Sequence, residues 1–175
     1  MSAMPFDRQS LDSDQQRAWR LLLSVNSQLF SALNSQLQSD SGMSFQDFDV
    51  LVYLRESPDH RLRMGALSRA LGWERSRTSH HVVRMERRGM VLRQRVPGDG
   101  RGALVVATGE GMRQLEQAAP KHLDLVKELL FGGMDPATTV NLADALSVVA
   151  RNLGYVPGPT WHHDEPGEPG MEENE

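Results

Sequence analysis

Arginine is concentrated in one short stretch of this sequence. Positions 69 to 101 hold nine arginines and three acidic residues, whereas the other positions hold 10 basic and 20 acidic residues. Guanidinium groups form paired hydrogen bonds with phosphate oxygens and with the O6 and N7 atoms of guanine. We therefore predict a polyanion-binding face on a chain whose overall net charge is −4. The alternative at this point is an arginine-rich helix face that is merely solvated.

The elements that would position these arginines follow one another as helix, turn, helix and hairpin. Helices are predicted at 64–71 and 75–88, and strands at 91–96 and 103–107. Gly72 permits the turn between the helices, and Gly89 stands where a helix commonly ends in a left-handed backbone. Pro97 begins a Pro/Gly turn between the strands. This order predicts a winged helix-turn-helix, in which the second helix enters a DNA groove beside the hairpin.

The arginine-rich helix is predicted to have one packed face. Thr78, Val82 and Met85 have the four- and three-residue spacing of side chains that point the same way. His81 neighbours this face and is interpreted as a packing histidine instead of a ligand. The opposite face is then left to polar and charged side chains.

That outward face has the residue types that read DNA. Arg77 and His80 lie near the beginning of the helix, where recognition helices usually contact bases, and are predicted to read the sequence. Arg84, Arg87 and Arg88 are expected to contact phosphates or neighbouring side chains. Alternatively, Arg87 or Arg88 pairs with Glu86 or Glu110. The predicted DNA-contacting set is Arg75, Ser76, Arg77, Ser79, His80, Arg84, Arg88, Asp99 and Arg101.

The last two residues of that set belong to the hairpin turn. Arg101 is predicted to enter the minor groove or to hold a phosphate. Asp99 would be repelled by phosphate and is predicted to orient Arg101 or a neighbouring arginine through a charge-assisted hydrogen bond. The alternative is an ordinary Asp-Gly turn beside a solvated arginine.

Helical patterns flank this unit on both sides. A long apolar stripe covers 11–38, and Ser44 followed by Asp47 is typical of a capping box that begins the next helix. After Thr108 a helix is predicted to run toward position 131, with a kink or distortion at Pro120. Asp135 and Pro136 are typical of the beginning of a last helix. The first and last helices carry more apolar surface than one small core needs, which predicts burial against a second copy of the chain.

These elements define the predicted fold class and its divisions. The chain is predicted to be mainly α with a small β-hairpin wing, its terminal helices forming a dimerisation region. The predicted divisions are a flexible N-terminus at 1–10, a dimerisation helix at 11–43, a DNA-binding region at 44–107, dimerisation helices at 108–156 and a disordered acidic tail at 157–175.

Composition excludes several classes of function. The chain has no cysteine, so disulfides and thiolate chemistry are excluded. No signal-peptide pattern or long apolar run occurs, which predicts a soluble cytoplasmic protein without a membrane partner. We find no phosphate-binding glycine loop, nucleophile–base signature or apolar carboxylate pair, so we expect neither an enzyme nor a cofactor. The two adjacent histidine pairs, at 80–81 and 162–163, lack metal-ligand spacing, so we expect no metal.

The segment 78–111 resembles the core of the MarR family of winged-helix regulators. Three motifs carry the resemblance: M-E-R-R-G-M-V at the helix end, D-x-R at Asp99 and Arg101, and A-T-x-x-G at 107–111. The resemblance implies a homodimer that binds a pseudo-palindromic double-stranded operator, usually as a repressor. His80 and His81 depart from the family pattern, which commonly has an arginine and an apolar residue there, so a different base preference is expected.

The resemblance also implies release from DNA by a small ligand, frequently phenolic or an aromatic acid. Candidate ligand-binding residues are Trp19, Arg20, Asn26 and His60, which supply an aromatic wall and polar anchors; otherwise they pack in the dimer core or lie in solvent. Two further alternatives from the sequence remain open: a winged-helix protein-interaction module, and a chromosome-binding protein without sequence preference.

Overall fold

The computed structural model describes residues 10–95 and 103–154, which form six α-helices and one three-stranded antiparallel sheet. The helices are α1 (Ser13–Ser41), α2 (Phe45–Arg55), α3 (Met64–Ala70), α4 (Arg75–Arg87), α5 (Gly109–Val126) and α6 (Pro136–Asn152). The strands are β1 (Arg61–Arg63), β2 (Val91–Arg95) and β3 (Ala103–Ala107), with β3 in the centre. The winged helix-turn-helix order predicted from the sequence is confirmed.

Helices α2 and α6 begin at the capping residues predicted from the sequence. At α2, the Ser44 hydroxyl accepts from the Asp47 N–H at 3.1 Å, while the Asp47 carboxylate accepts from the Ser44 N–H at 2.9 Å. At α6, the Asp135 carboxylate accepts from the N–H of Thr138. Because each cap involves residues only three apart, the sequence signal is sufficient to place it.

The A-T-x-x-G motif joins α5 to the end of α4. The Thr108 hydroxyl donates to the Gly89 carbonyl at 2.7 Å and accepts from the Gly111 N–H at 2.9 Å. A Cβ at Gly111 would lie 2.2 Å from the carbonyl oxygen of Met90, so the close approach requires glycine. The motif therefore fixes where α5 leaves the winged helix-turn-helix unit.

Two features of these elements were not anticipated from the sequence. Strand β1 was not predicted; its three residues, Arg61–Arg63, become a strand only by pairing with β3. The α-helix also continues through Pro120 to Val126, and the irregular segment is a π-helical turn at Lys127–Phe131. Pro120 and Glu116 are both exposed, so water can satisfy the carbonyl that would otherwise bond to residue 120.

The buried core lies within the winged helix-turn-helix unit and its junction with α1 and α5. It is built from residues such as Leu37, Phe48, Leu67, Met85 and Leu115. In contrast, α1 and α6 leave large apolar side chains exposed: Trp19, Leu21, Leu22, Leu23, Val25 and Phe30 on α1, and Val140, Leu146, Val148 and Val149 on α6. An isolated chain of this kind would present much of its apolar surface to water.

Candidate nucleic-acid interface

Helix α4 has the two faces predicted for it. Thr78, Val82 and Met85 are fully buried, and His81 is buried beside them. The side chains predicted to contact DNA lie on the other face, where Arg75, Ser76, Arg77, His80 and Arg84 are exposed and Ser79 is half-buried. The buried face holds the helix against the core, so the polar face is presented outward as a rigid unit.

The turn before α4 supports Arg77. Gly72 has φ +63°, and the Trp73 N–H donates to the carbonyl of Ser68 at 2.9 Å. The indole ring then lies beneath Arg77, whose Cζ is 4.5 Å from the ring centroid. This cation–π contact restricts the guanidinium near the beginning of α4.

A buried carboxylate on α2 organises the other end of α4. One oxygen of Asp47 accepts from Nη1 of Arg88 at 2.6 Å, and its other oxygen lies 3.0 Å from Nε2 of His81. Burial raises the pKa of Asp47, but its interactions with His81, Ser44 and Arg88 outweigh the effect of burial and hold the pKa well below its ordinary value. Asp47 is therefore a fixed anion that ties α2 to α4.

The structure places Arg88 in this scaffold. Its Nη1 donates to Asp47, and its Nη2 donates at 2.7 Å to the carbonyl of Gly42, just after α1. The sequence placed Arg88 in the DNA-contacting set, yet its guanidinium is held at the junction of three helices. The predicted alternative pairings of Arg87 or Arg88 with Glu86 or Glu110 are wrong, because those two carboxylates pair with Arg93 and Arg113.

The sheet carries further basic side chains. Arg61 and Arg63 are exposed on β1, where Arg61 pairs with Asp59 at 2.5 Å. Sequence reasoning missed both because a three-residue strand has no periodic pattern. Asp99 and Arg101, predicted to contact DNA from the hairpin turn, lie outside the described residues.

The four candidate ligand-binding residues do not form a cluster. Trp19, Arg20 and Asn26 are exposed along α1, and His60 is exposed after α2 with Nδ1 3.0 Å from the carbonyl of Arg55. Within the described ranges no hydrogen bond or ring contact joins one of the four to another. A pocket that used them would need surfaces from a second copy.

Two titratable groups nearby, the buried His122 and the half-buried Asp49, were not anticipated. His122 of α5 is buried with its ring 4.4 Å from that of Phe48, and Nδ1 has no hydrogen-bond partner among the described residues. Burial lowers the pKa of His122, and burial raises the pKa of Asp49 to about 6. Both groups therefore favour their neutral forms more than free side chains do.

Residues 10–95 and 103–154 contain neither a metal site nor a membrane-spanning helix. No group of three or more histidine and carboxylate side chains there could hold a metal ion. No helix in the same ranges is long and apolar enough to cross a membrane.

Comparison with known proteins decides the family. The sequence profile described as MarR family matches residues 41–102. The structure is similar to Sco3205, a MarR family transcriptional regulator from Streptomyces coelicolor solved in complex with DNA. The identity is 37% and the TM-score 0.78, over 82% of this chain and 94% of that one.

The chain belongs to the MarR family of transcriptional regulators.

Two other MarR family structures show how far this similarity extends. AbsC from Streptomyces coelicolor is 34% identical with a TM-score of 0.78, over 83% of this chain and 98% of that one. E. coli MarR, solved with operator DNA as a mutant, is 25% identical with a TM-score of 0.69, over 80% and 98%. No curated protein sequence matches. The resemblance inferred from the motifs is confirmed, and the family is one of transcriptional regulators.

Proposed function

We propose that this MarR family protein is a homodimeric regulator that binds double-stranded DNA with sequence specificity. The observation that carries the proposal is the asymmetry of α4. One face is buried through Thr78, Val82 and Met85, while the opposite face presents Arg77, His80 and other polar side chains. A helix held in this way can enter the major groove without exposing apolar surface.

The relatives support the choice of DNA as the partner. Sco3205 was solved in complex with DNA, and E. coli MarR with operator DNA. In our proposal Arg77 and His80 contact base edges, whereas Arg75, Ser76, Ser79 and Arg84 contact phosphates or flanking bases. Asp99 and Arg101 supply the wing contact. Arg88 is assigned to the scaffold because both ends of its guanidinium are hydrogen-bonded within the protein.

A second copy accounts for the exposed apolar side chains of α1 and α6. A homodimer with twofold symmetry would cover them and would place two copies of α4 on one side of the molecule. Two recognition helices related in this way match half-sites about one helical turn apart. The proposed operator is therefore a pseudo-palindrome.

The proposed regulation is repression relieved by a small aromatic or phenolic ligand. RdhR-CbdbA1625, which has a TM-score of 0.70 to this chain, was solved with 2,4-dichlorophenol bound, but its 17% identity supports the fold alone. The ligand proposal rests on the family resemblance, with Trp19, Arg20, Asn26 and His60 as candidate contacts in the dimer.

The decisive experiment is selection of bound duplexes from a random pool by the full chain. We expect enrichment of a pseudo-palindrome, with affinity that falls steeply as salt rises because counterions are released from phosphates. Equal affinity for all duplexes would instead support a non-specific chromosome-binding protein. An absence of salt-sensitive binding would support a protein-interaction module. Ligands are then screened for release of the enriched duplex.

A further inference from the structure

His81 is the buried titratable group on the helix proposed to read DNA. Three groups surround its ring. Asp47 approaches from α2, Arg84 from the next turn of α4, and the Trp73 ring packs edge-on with centroids 5.2 Å apart. Arg88, which bonds the same carboxylate, is the third charged group near the ring. These neighbours determine which ring nitrogen of His81 carries the proton.

The direction of each polar interaction follows from the chemistry of the partners. A guanidinium can only donate, so Nη2 of Arg84, at 2.9 Å, donates to Nδ1 of His81. Nδ1 is then unprotonated and the ring proton resides on Nε2. This protonated Nε2 lies 3.0 Å from Oδ1 of the ionised Asp47 carboxylate, a close electrostatic contact that lacks hydrogen-bond geometry. The chain of interactions runs from Arg84 through His81 to Asp47.

This chain crosses from the core to the outer face of α4. Asp47 is fixed by its capping interaction with Ser44 and by Arg88, so it holds the imidazole in one orientation. The imidazole in turn holds the exposed guanidinium of Arg84. An unrestrained arginine loses considerable rotamer freedom when it binds a ligand, and preorganisation removes part of that cost.

We propose that His81 is a positioning residue for DNA binding, which acts by presenting Arg84 to the DNA through its Nδ1 atom. The inference rests on the proposed function, in which Arg84 contacts DNA. It assigns to a buried histidine a role beyond packing, although its side chain does not touch the DNA itself.

Three substitutions separate the two polar interactions of His81. In His81→Asn the side-chain oxygen stands close to the position of Nδ1 and can accept from Arg84, but residue 81 no longer offers a donor to Asp47. In His81→Gln the amide nitrogen can reach Asp47, but the acceptor for Arg84 is lost. His81→Phe keeps a ring against Trp73 and removes both interactions. Unfolding is measured for each variant, so that binding is compared between folded proteins.

The binding constants for the selected operator then test the proposal. We expect His81→Gln and His81→Phe to weaken binding by about tenfold per half-site, close to the effect of Arg84→Ala. His81→Asn is expected to bind almost as well as the wild type even if it is less stable. Equally poor binding by the Asn and Phe variants would contradict a role exerted through Nδ1.

A double-mutant cycle tests whether the effect passes through Arg84. Once Arg84 is alanine, His81→Phe should cause little further loss, because the guanidinium it positions is absent. The matched control is Arg87→Ala, an exposed arginine of α4 outside this chain of interactions, whose effect should add to that of His81→Phe. Additive losses for His81→Phe and Arg84→Ala would overturn the proposal.

An NMR measurement distinguishes failure of this inference from failure of the proposed function. Long-range nitrogen–proton spectra of the His81 ring in the DNA-free protein should show protonated Nε2 and unprotonated Nδ1. The opposite tautomer would overturn the inference even if the protein binds DNA as proposed. The expected tautomer in a protein that binds no duplex would overturn the proposed function, and with it the role of His81 in DNA binding.

Discussion

Arg88 at the end of α4 donates to Asp47 near the beginning of α2 across 2.6 Å, although 41 positions separate the two residues in the chain. The same guanidinium also bonds to the carbonyl of Gly42, where α1 ends. These contacts connect α1, the proposed dimerisation helix, to the proposed recognition helix α4. A shift of α1 against α2 would therefore be transmitted through Arg88 to the C-terminal end of α4.

Asp47→Asn should destabilise the protein by about 3 kcal/mol at neutral pH, because it leaves Arg88 and His81 without their buried anion. Folding lowers the pKa of Asp47 from its ordinary value of 3.8. The stability that the ionised carboxylate contributes to the folded protein is therefore fully present above about pH 4 and is lost as the pH falls toward the folded pKa. Denaturant unfolding of both proteins, at one protomer concentration, should show their difference shrinking below about pH 4. A difference independent of pH would contradict the ion-pair role.

Asp49→Asn should have the opposite effect on stability. Burial raises the pKa of Asp49 from 3.8 to about 6, so the folded state disfavours the charged carboxylate. The free-energy cost of ionising Asp49 in the folded protein is absent below about pH 4 and complete above about pH 6. The variant should therefore be about 1–3 kcal/mol more stable than wild type at pH 7.5, and the two proteins should be equally stable at pH 4. Asp124→Asn is the exposed control and should change little. Equal effects of both substitutions at pH 7.5 would contradict burial as the cause.

Arg77→Ala should relax base discrimination and cost about 1–3 kcal/mol per half-site, because it removes the pair of hydrogen bonds proposed to guanine. Trp73→Leu removes the ring beneath Arg77 while leaving an apolar side chain, and should cost about 0.5–1 kcal/mol without changing the preferred sequence. Competition between the selected operator and single-base variants measures both effects. Unchanged discrimination by Arg77→Ala would remove Arg77 from the base-reading set.

Leu22→Glu on α1 and Leu146→Glu on α6 should each weaken self-association by about 100-fold or more, because a symmetric interface contains every substitution twice. Analytical ultracentrifugation over a range of concentrations measures the association. The matched control is Leu92→Glu on β2, because Leu92 is 50% exposed, against 46% for Leu22 and 49% for Leu146. An equal loss in all three variants would indicate general destabilisation instead of an interface.

A separate prediction concerns Arg101 of the wing, whose proposed partner is a phosphate group. Arg101→Ala should weaken binding to all duplexes by a similar factor, and each phosphate that is no longer neutralised should lower the slope of log affinity against log salt by about one. Salt titrations with the operator and with an unrelated duplex give both quantities. A slope equal to that of the wild type would exclude the phosphate interaction.

Sequence alone was sufficient wherever the determining interactions are local. The caps at Ser44 and Asp135, the left-handed glycine at Gly89 and the packed face of α4 all depend on residues within about one or two helical turns of each other. The arginine-rich outward face follows from the same periodicity. Those features were enough to predict the winged helix-turn-helix, whereas the resemblance to the MarR family came from the M-E-R-R-G-M-V, D-x-R and A-T-x-x-G motifs.

Tertiary structure decided which of the arginines are committed to the scaffold. Arg88 looks like its neighbours in the sequence, but packing of α2 against α4 brings it to Asp47, 41 positions away. The same packing converts His81 from an isolated inward histidine into a link between Asp47 and Arg84. Such partners are chosen by contacts between distant segments, and the short-range periodicity that shapes a helix contains no information about them.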